Sequence, residues 1–322
     1  MTLSVVLCTY NGERFLREQL DSVLSQTLLP DEIVVLDDCS KDDTWNILLE
    51  YKMKYPSMFK IYRNKENVGV HENYRKLFHY ASCELVAICD QDDIWLPSKL
   101  DESVKMLSGF GRGMVCCCER ILYKDGRMED YNLPILYLKD VIFNSYIRGH
   151  LMVCSKEILE VCDITHDISY DGAISLYAIG LNKMLRVNMI GCIWRRHDNT
   201  VTTPDEEVLE QIGKWNKWFR AMKMIIDGRR SEPIARLMNA TAIILDRTLE
   251  VDKVNRLCAK MARMMSKQSF FSMLMADWLY LRVAMLSDDF HGLGTRGKLG
   301  RMAFAFCYPT MWWYDWRDEK YL

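Results

Sequence analysis

No apolar run in this sequence approaches the ~18 residues needed to span a bilayer. The N-terminus, MTLSVVLCTYNGERF, has no basic leader and only a short apolar stretch. Both absences are read as a chain that is neither exported nor membrane-spanning. No CxxC pair occurs among the twelve cysteines, which are scattered and include the run Cys116, Cys117 and Cys118. The usual zinc and redox spacings are therefore missing, and the reading is reduced, mostly buried thiols in a cytosolic protein. There is no GxxxxGK[ST], and no GxGxxG follows the first apolar run, which excludes the P-loop and the usual dinucleotide fingerprint. A surplus of positive charge is also lacking: 42 basic residues face 44 acidic ones. That balance argues against a nucleic-acid partner.

The near-neutral average hides a split. Residues 206–322 hold 19 Lys and Arg against 14 Asp and Glu, so the tail is basic and residues 1–205 are acidic. The length of 322 exceeds the ~250 to 300 residues at which single cores stop growing. Two units are expected, 1–205 and a helical 206–322, with the first divided into halves 1–107 and 108–205.

Apolar runs alternate with amphipathic segments in the first hundred residues. Leu3–Cys8, Ile33–Leu36, Phe59–Tyr62 and Leu85–Cys89 read as strands. Arg14–Ser25, Asp43–Tyr55 (capped by Ser40), His71–Tyr80 and Pro97–Leu107 read as helices between and after them. Such alternation predicts an α/β fold with a parallel sheet covered by helices. Further on, strands are expected at Met114–Cys118, Ile121–Tyr123 and Gly149–Cys154, and one or two within Leu185–Trp194. Helices are expected at Lys156–Cys162 and Asp171–Ile179. Beyond Pro204 the expected helices are Glu206–Asp227, Glu232–Val251, Val254–Lys267 and Phe270–Leu286.

Ligands bind at the carboxyl ends of parallel strands, and three polar clusters fall there. They are Thr9-Tyr10-Asn11-Gly12, Asp37-Asp38-Cys39-Ser40 and Asp90-Gln91-Asp92-Asp93. Three carboxylates in four residues repel unless a cation sits among them, and Mg²⁺ or Mn²⁺ prefer oxygen ligands. An acidic loop that only caps the next helix is the plain alternative. A carboxylate at Asp37-Asp38 could accept from a base imide or a ribose hydroxyl, although Asp-Ser clusters commonly do no more than end strands. Tyr10 could offer its face to the same base.

Four blocks, SVVLCTYNGERFLREQLDSVLSQT, DEIVVLDDCSKDDT, NVGVHENY and LVAICDQDDIWLPSKL, together resemble the N-terminal half of family 2 inverting glycosyltransferases of the GT-A fold. DQDDIWLP resembles the rhamnosyltransferase-like members of bacterial surface polysaccharide synthesis. The resemblance is continuous over about residues 2–107 and weaker to about 202. It implies a mostly parallel central sheet flanked by helices, a nucleotide-diphosphate sugar donor (dTDP- or UDP-linked, with dTDP-rhamnose as one candidate), and a glycan or lipid-linked acceptor. It implies that Tyr10 and Asp38 hold the base with Asp37 beside them, that Thr9 and Asn11 belong to the nucleotide-sugar site, that Asn67 and Gly69 form a loop near the nucleotide, and that Asp90, Gln91 and Asp92 form the DxD segment. Asp92 and Asp90 would serve Mg²⁺ or Mn²⁺, with Asp93 in support. Trp194-Arg195-Arg196-His197-Asp198-Asn199 resembles the family's YRxHxxN segment and implies Arg195 beside the diphosphate and His197 beside the metal. A surface-turn histidine is the other reading of His197. The family's catalytic aspartate at a helix start matches Asp171 best, with Asp163 and Asp167 as competitors. Tyr170 stands there in place of a Glu, Cys39 in place of a frequent Gly, and Cys8 in place of a Thr that touches the base in some relatives.

The implied class is a metal-dependent hexosyltransferase working in the cytoplasm, with attachment to the inner face of the membrane as a further option. The alternatives are a sugar-phosphate nucleotidyltransferase, which usually shows a Gly-rich phosphate loop with Arg near its first strand, and an inactive sugar-nucleotide-binding protein. For the tail, Trp215, Trp218, Trp278, Trp312, Trp313 and Trp316 read either as core or as an interface with a second subunit. Met302–Tyr308 and Trp312-Trp313-Tyr314, flanked by Arg296, Lys298 and Arg301, read alternatively as peripheral membrane contact.

Overall fold

The computed structural model describes residues 1–133, 137–143, 147–197, 214–286 and 295–316. Strands β1 (Leu3–Thr9), β2 (Glu32–Asp37), β3 (Phe59–Arg63) and β4 (Leu85–Cys89) alternate with helices α1 (Leu16–Leu24), α2 (Thr44–Lys54) and α3 (Val70–Tyr80). These four strands are parallel in the order β3-β2-β1-β4. Their residues alternate between two cores. Val6, Val34, Leu36, Val86 and Ile88 face one, and Val5, Leu7, Ile33, Val35 and Ala87 face the other. Burial on both sides is why these strands read as unbroken apolar runs.

Beyond β4 come β5 (Ile94–Trp95), α4 (Lys99–Phe110), β6 (Met114–Leu122), β7 (Met128–Tyr131), α5 (Leu138–Phe143), β8 (Met152–Ser155), α6 (Lys156–Leu159), α7 (Tyr170–Gly180) and β9 (Met184–Arg195). The sheet continues β4-β8-β6-β9-β5, with β7 paired to β6. The parallel arrangement expected from the first hundred residues holds for β1–β4, and the sheet becomes mixed beyond them. β8 runs antiparallel to β4 and to β6, and β5 antiparallel to β9, while β6 and β9 are parallel. The two strands expected at 114–123 are one. Register shifts between Cys116 and Glu119 bulge β6 against β9 without ending it. β9 is likewise a single strand.

Helices α8 (Lys214–Ile226), α9 (Glu232–Asp246), α10 (Lys253–Lys267), α11 (Phe270–Leu286) and α12 (Thr295–Trp316) complete the chain. The boundary expected near 205 and the first turns of the helix expected from Glu206 lie outside the described residues. The apolar faces of these helices, including Met238, Met261, Val283 and Trp313, join the core that contains Val6 and Ile88. Trp312 and Trp313 are 7% and 1% exposed, and their indole N–H groups donate to Phe143 O (2.8 Å) and Gln268 Oε1 (3.0 Å). That corrects the reading of this pair as membrane contacts: amphipathic spacing marks a buried face without saying what buries it. The side chains of Trp215, Arg296, Lys298, Tyr314 and Trp316 lie outside the described residues. No helix among the described residues is long and apolar enough to cross a membrane. All twelve cysteines are free, and eleven are buried.

Candidate active site

The parallel register places Thr9 beside Asp37 and Leu7 beside Cys89. The loops after β1, β2 and β4 therefore open on one sheet edge. The link from β4 to β9 through two antiparallel pairings brings the end of β9 to that edge as well.

Asp37 is fully buried, and protein groups occupy it. It accepts from Thr9 Oγ1 (3.1 Å), Ser40 N (3.1 Å) and the Ser40 hydroxyl, and pairs with Arg63 Nε at 3.0 Å. Ser40 is thus tied to Asp37 and accepts from Asn11 N; it does not cap α2, whose cap position is Asp43. Cys39 has φ 65°, the left-handed conformation that a glycine adopts without steric cost. Asp38 accepts from Asn64 Nδ2 (2.8 Å), Val68 N (3.0 Å) and Gly69 N (2.9 Å). Gly69 has φ 84°, which L side chains rarely adopt, so the loop turns its N–H toward Asp38 because no Cβ opposes it. The Asn67 side chain accepts from Gly69 N at 3.1 Å.

Tyr10 stays 44% exposed while its backbone N and O pair with the Gln91 amide at 2.9 and 3.0 Å. Gly12 leaves the room this needs, since a Cβ there would lie 2.2 Å from Gln91 Oε1. The Gln91 amide therefore joins the first and third clusters.

Asp90 accepts from Tyr74 Oη at 2.8 Å and faces His150 Nδ1 at 3.1 Å. His150 is 1% exposed, with Asp93 Oδ2 3.3 Å from the same nitrogen and Glu119 Oε2 2.9 Å from Nε2. Burial alone would lower the imidazole, but Asp93, Asp90 and Glu119 outweigh it and hold it well above its ordinary value. With a carboxylate facing each nitrogen, the site favours the imidazolium form of the ring. Arg148 pairs with Glu119 from the other side and lies 4.0 Å over the Trp194 ring. Lys99 donates to His150 O at 2.5 Å. Asp90 is held low, because His150 and Tyr74 offset its burial.

Asp92 stands differently. Burial and the neighbouring charge of Asp90 push its carboxyl up, and His197, with Nε2 2.8 Å from Asp92 Oδ2, opposes that shift. The His197 ring packs 4.8 Å from Phe15. Arg195 lies 4.5 Å over the same phenyl ring and reaches Glu18 at 2.7 Å, while its backbone N–H donates to Asp93 at 3.1 Å. Asp198 and Asn199 lie outside the described residues. A deficit of positive charge at Asp92, met by oxygen donors and one imidazole, fits a divalent ion such as Mg²⁺ or Mn²⁺. Among the described residues, two triads have ligand-type atoms within 4.8 Å of one another, Asp90-Asp93-His150 and Glu119-His150-Cys192, and neither includes Asp92 or His197. Both depend on His150, whose nitrogens already face Asp90 and Glu119 at hydrogen-bond distance.

Asp171 lies in the first turn of α7. Its Oδ1 accepts from Gly172 N at 2.9 Å, and the Ser169 hydroxyl caps the same helix. Of its competitors, Asp163 is exposed and pairs with His79 at 3.1 Å, and Asp167 is exposed. Tyr170, the residue before Asp171, packs at a tilt of 34° against Tyr74 with ring centroids 4.3 Å apart, and Tyr74 holds Asp90. A short chain of contacts thus joins the DxD segment to the start of α7. Sequence reasoning passed over His150, Glu119, Arg148 and Tyr74. The available signal was an acidic residue directly after three cysteines inside a strand, which must find a buried partner.

Residues 4–158 match the family model "Glycosyl transferase family 2". An uncharacterized protein of Mycobacterium tuberculosis is 35% identical over 153 residues, 47% of this chain and 44% of that protein. The dTDP-rhamnosyl transferase RfbG of Shigella flexneri is 33% identical over 105 residues, 31% of this chain and 36% of RfbG. The match to the glucosyltransferase WfgD of Escherichia coli, 32% identical over 105 residues, covers 33% of this chain and 40% of WfgD. The chain thus spans less than half the length of these relatives. Among solved structures, S. aureus TarS 1-349 in complex with UDP-GlcNAc aligns with TM-score 0.55 and 16% identity, covering 90% of this chain and 88% of that one. Residues 4–158, just under half of this chain, thus carry a glycosyltransferase family 2 match, on a fold similar to that of TarS.

Proposed function

We propose that this protein transfers a sugar from a nucleotide-diphosphate sugar to a hydroxyl of a glycan or lipid-linked acceptor, with inversion at the anomeric carbon. The observation that carries the reading is the contact of His197 with Asp92, beside the charge of Asp90, at the edge of a sheet whose residues 4–158 match family 2. The exposed Tyr10 ring and Asp38 would receive the base, and Asp90 the ribose. Arg195 would lie beside the diphosphate. RfbG's name makes dTDP-rhamnose the first donor to try, and a UDP-sugar the second.

Asp92, His197 and Asp90 would hold Mg²⁺ or Mn²⁺, which when bound offsets charge building on the departing diphosphate. Asp171 takes the proton from the attacking acceptor hydroxyl on the far side of the sugar. With a lipid-linked acceptor, the work would be done from the cytoplasmic face of the membrane.

A thermal-shift screen of UDP-, dTDP- and GDP-sugars with and without Mn²⁺ tests this reading, since a ligand that binds only the folded chain stabilises it by mass action. Selective stabilisation by one nucleotide sugar, enhanced by Mn²⁺ and followed by nucleotide diphosphate release with acceptor, is expected. No stabilisation by any of them would overturn the donor class.

A further inference from the structure

Helix α3 carries three consecutive buried residues that face three different parts of the site. Asn73 donates to Leu36 O at the end of β2 (3.0 Å), Tyr74 donates to Asp90 (2.8 Å), and Arg75 reaches the loop before α7. The N-terminal end of the same helix supplies the Gly69 N–H held by Asp38. One rigid element therefore touches the donor carboxylates and the acceptor-side loop.

Arg75 is 4% exposed. Its Nε donates to Cys162 O (3.1 Å), its Nη2 to Thr165 O (3.4 Å) and to Ile168 O, and its Nη1 to Glu72 Oε1 (2.9 Å). A 3-10 turn spans Glu160–Asp163, and 164–168 form no helix and no strand, so these backbone carbonyls lack the partners that strands and α-helices supply. Buried carbonyls need a donor, and a guanidinium spreads five N–H groups over a rigid planar fork that reaches three separated carbonyls and Glu72 at once, whereas the three N–H groups of an ammonium radiate from one atom. Ser169, the cap of α7, follows directly, and Asp171 lies two residues beyond it.

We infer that Arg75 is a positioning residue for transfer: by fixing the Cys162–Ile168 loop it sets Asp171 at a constant distance from the donor site carried on the same helix. This rests on the assignment of Asp171 as the proton acceptor. A displacement of about 1 Å at a reacting group costs on the order of 10²-fold in rate. Such a loss falls on kcat and leaves nucleotide affinity in place.

The test measures kcat, donor KM, nucleotide diphosphate affinity and melting temperature for Arg75→Met, Arg75→Lys, Asp171→Asn and the two doubles. Both Arg75 variants should lose about 10²-fold in kcat with donor KM and nucleotide affinity unchanged. Arg75→Lys should melt closer to the parent than Arg75→Met while its turnover stays low, since one ammonium cannot bridge three carbonyls. In the Asp171→Asn background either change should cost little more, because the group it positions is already gone. Equal losses in both backgrounds, or nucleotide affinity falling together with kcat, would overturn the positioning role. If Arg75→Met does not fold, Arg75→Lys carries the same comparison. Parent-like turnover in Asp171→Asn would overturn the base assignment itself, a separate outcome visible in that single variant.

Discussion

His197 Nε2 lies 2.8 Å from Asp92 Oδ2, joining residues 105 positions apart. The contact puts a partner of Asp92 on the segment that follows β9, so the loop after β4 and the chain after β9 meet at one carboxylate. With burial and Asp90 raising Asp92, a divalent ion there should relieve the repulsion. Asp92→Ala should abolish Mn²⁺-enhanced donor binding in the thermal-shift assay and reduce transfer to background. Transfer that survives both Asp92→Ala and EDTA would remove the metal from this site.

Asp171→Asn keeps the shape of the first turn of α7 and removes the proton acceptor. Turnover should fall about 10²- to 10⁴-fold, with donor affinity intact, because the loss is confined to the transition state. Steady-state kinetics with saturating donor read this directly. Near-parental kcat would transfer the role to another group.

His150 sits between Asp90, Asp93 and Glu119 without access to water. His150→Ala leaves these carboxylates without their shared cation, a change worth about 3–5 kcal/mol for a buried pair. Chemical denaturation should show a loss of that size. A loss below about 1 kcal/mol, the range of exposed pairs, would mean that the ring carries no charge.

Asp277 lies in the helical tail, where Trp218 Nε1 (2.8 Å), Thr310 N (3.0 Å) and Thr310 Oγ1 (2.8 Å) donate to it. Thr310 follows Pro309 inside α12. A proline cannot donate and its ring disturbs the preceding turn, and Asp277 supplies the acceptor for the N–H that follows. Burial raises its carboxyl to about 7 against these hydrogen bonds. The folded chain then keeps the proton to about pH 7, while an unfolded aspartate releases it near 4. More protons are bound when folded across that window, so stability should fall as pH rises from about 4 to about 7 and level off above it. Melting curves at several pH values should show this slope, and Asp277→Asn should flatten it. An identical slope in the variant would exclude Asp277 as the cause.

The donor side of the site was legible because each cluster follows its own strand in sequence. Apolar runs such as LSVVLC and LVAIC announce strands buried on both faces, and their ends must share an edge once the strands are parallel. The acceptor side was less legible. β8 is four residues long and β5 two, too short for periodicity to declare direction. Asp37 and Asp38 look interchangeable as letters, yet the structure commits Asp37 to Arg63 and Ser40, and Asp38 to the loop ahead of α3. The Trp312-Trp313 pair could be read as interface or core, because burial depends on which surface lies opposite.

The sequence by itself determined the alternation of strands and helices in the first hundred residues, the three polar strand ends and the family they point to. These are local properties, set by apolar spacing and by chemistry within a few consecutive residues. Only the tertiary structure decided that His150 lies beneath the acidic segment, that Glu119 and Arg148 complete its charge balance, and that Arg75 holds the loop leading to Asp171. A buried charge is stable only beside partners that offset its lost hydration, and the chain brings those partners from strands and loops 29 to 93 residues away.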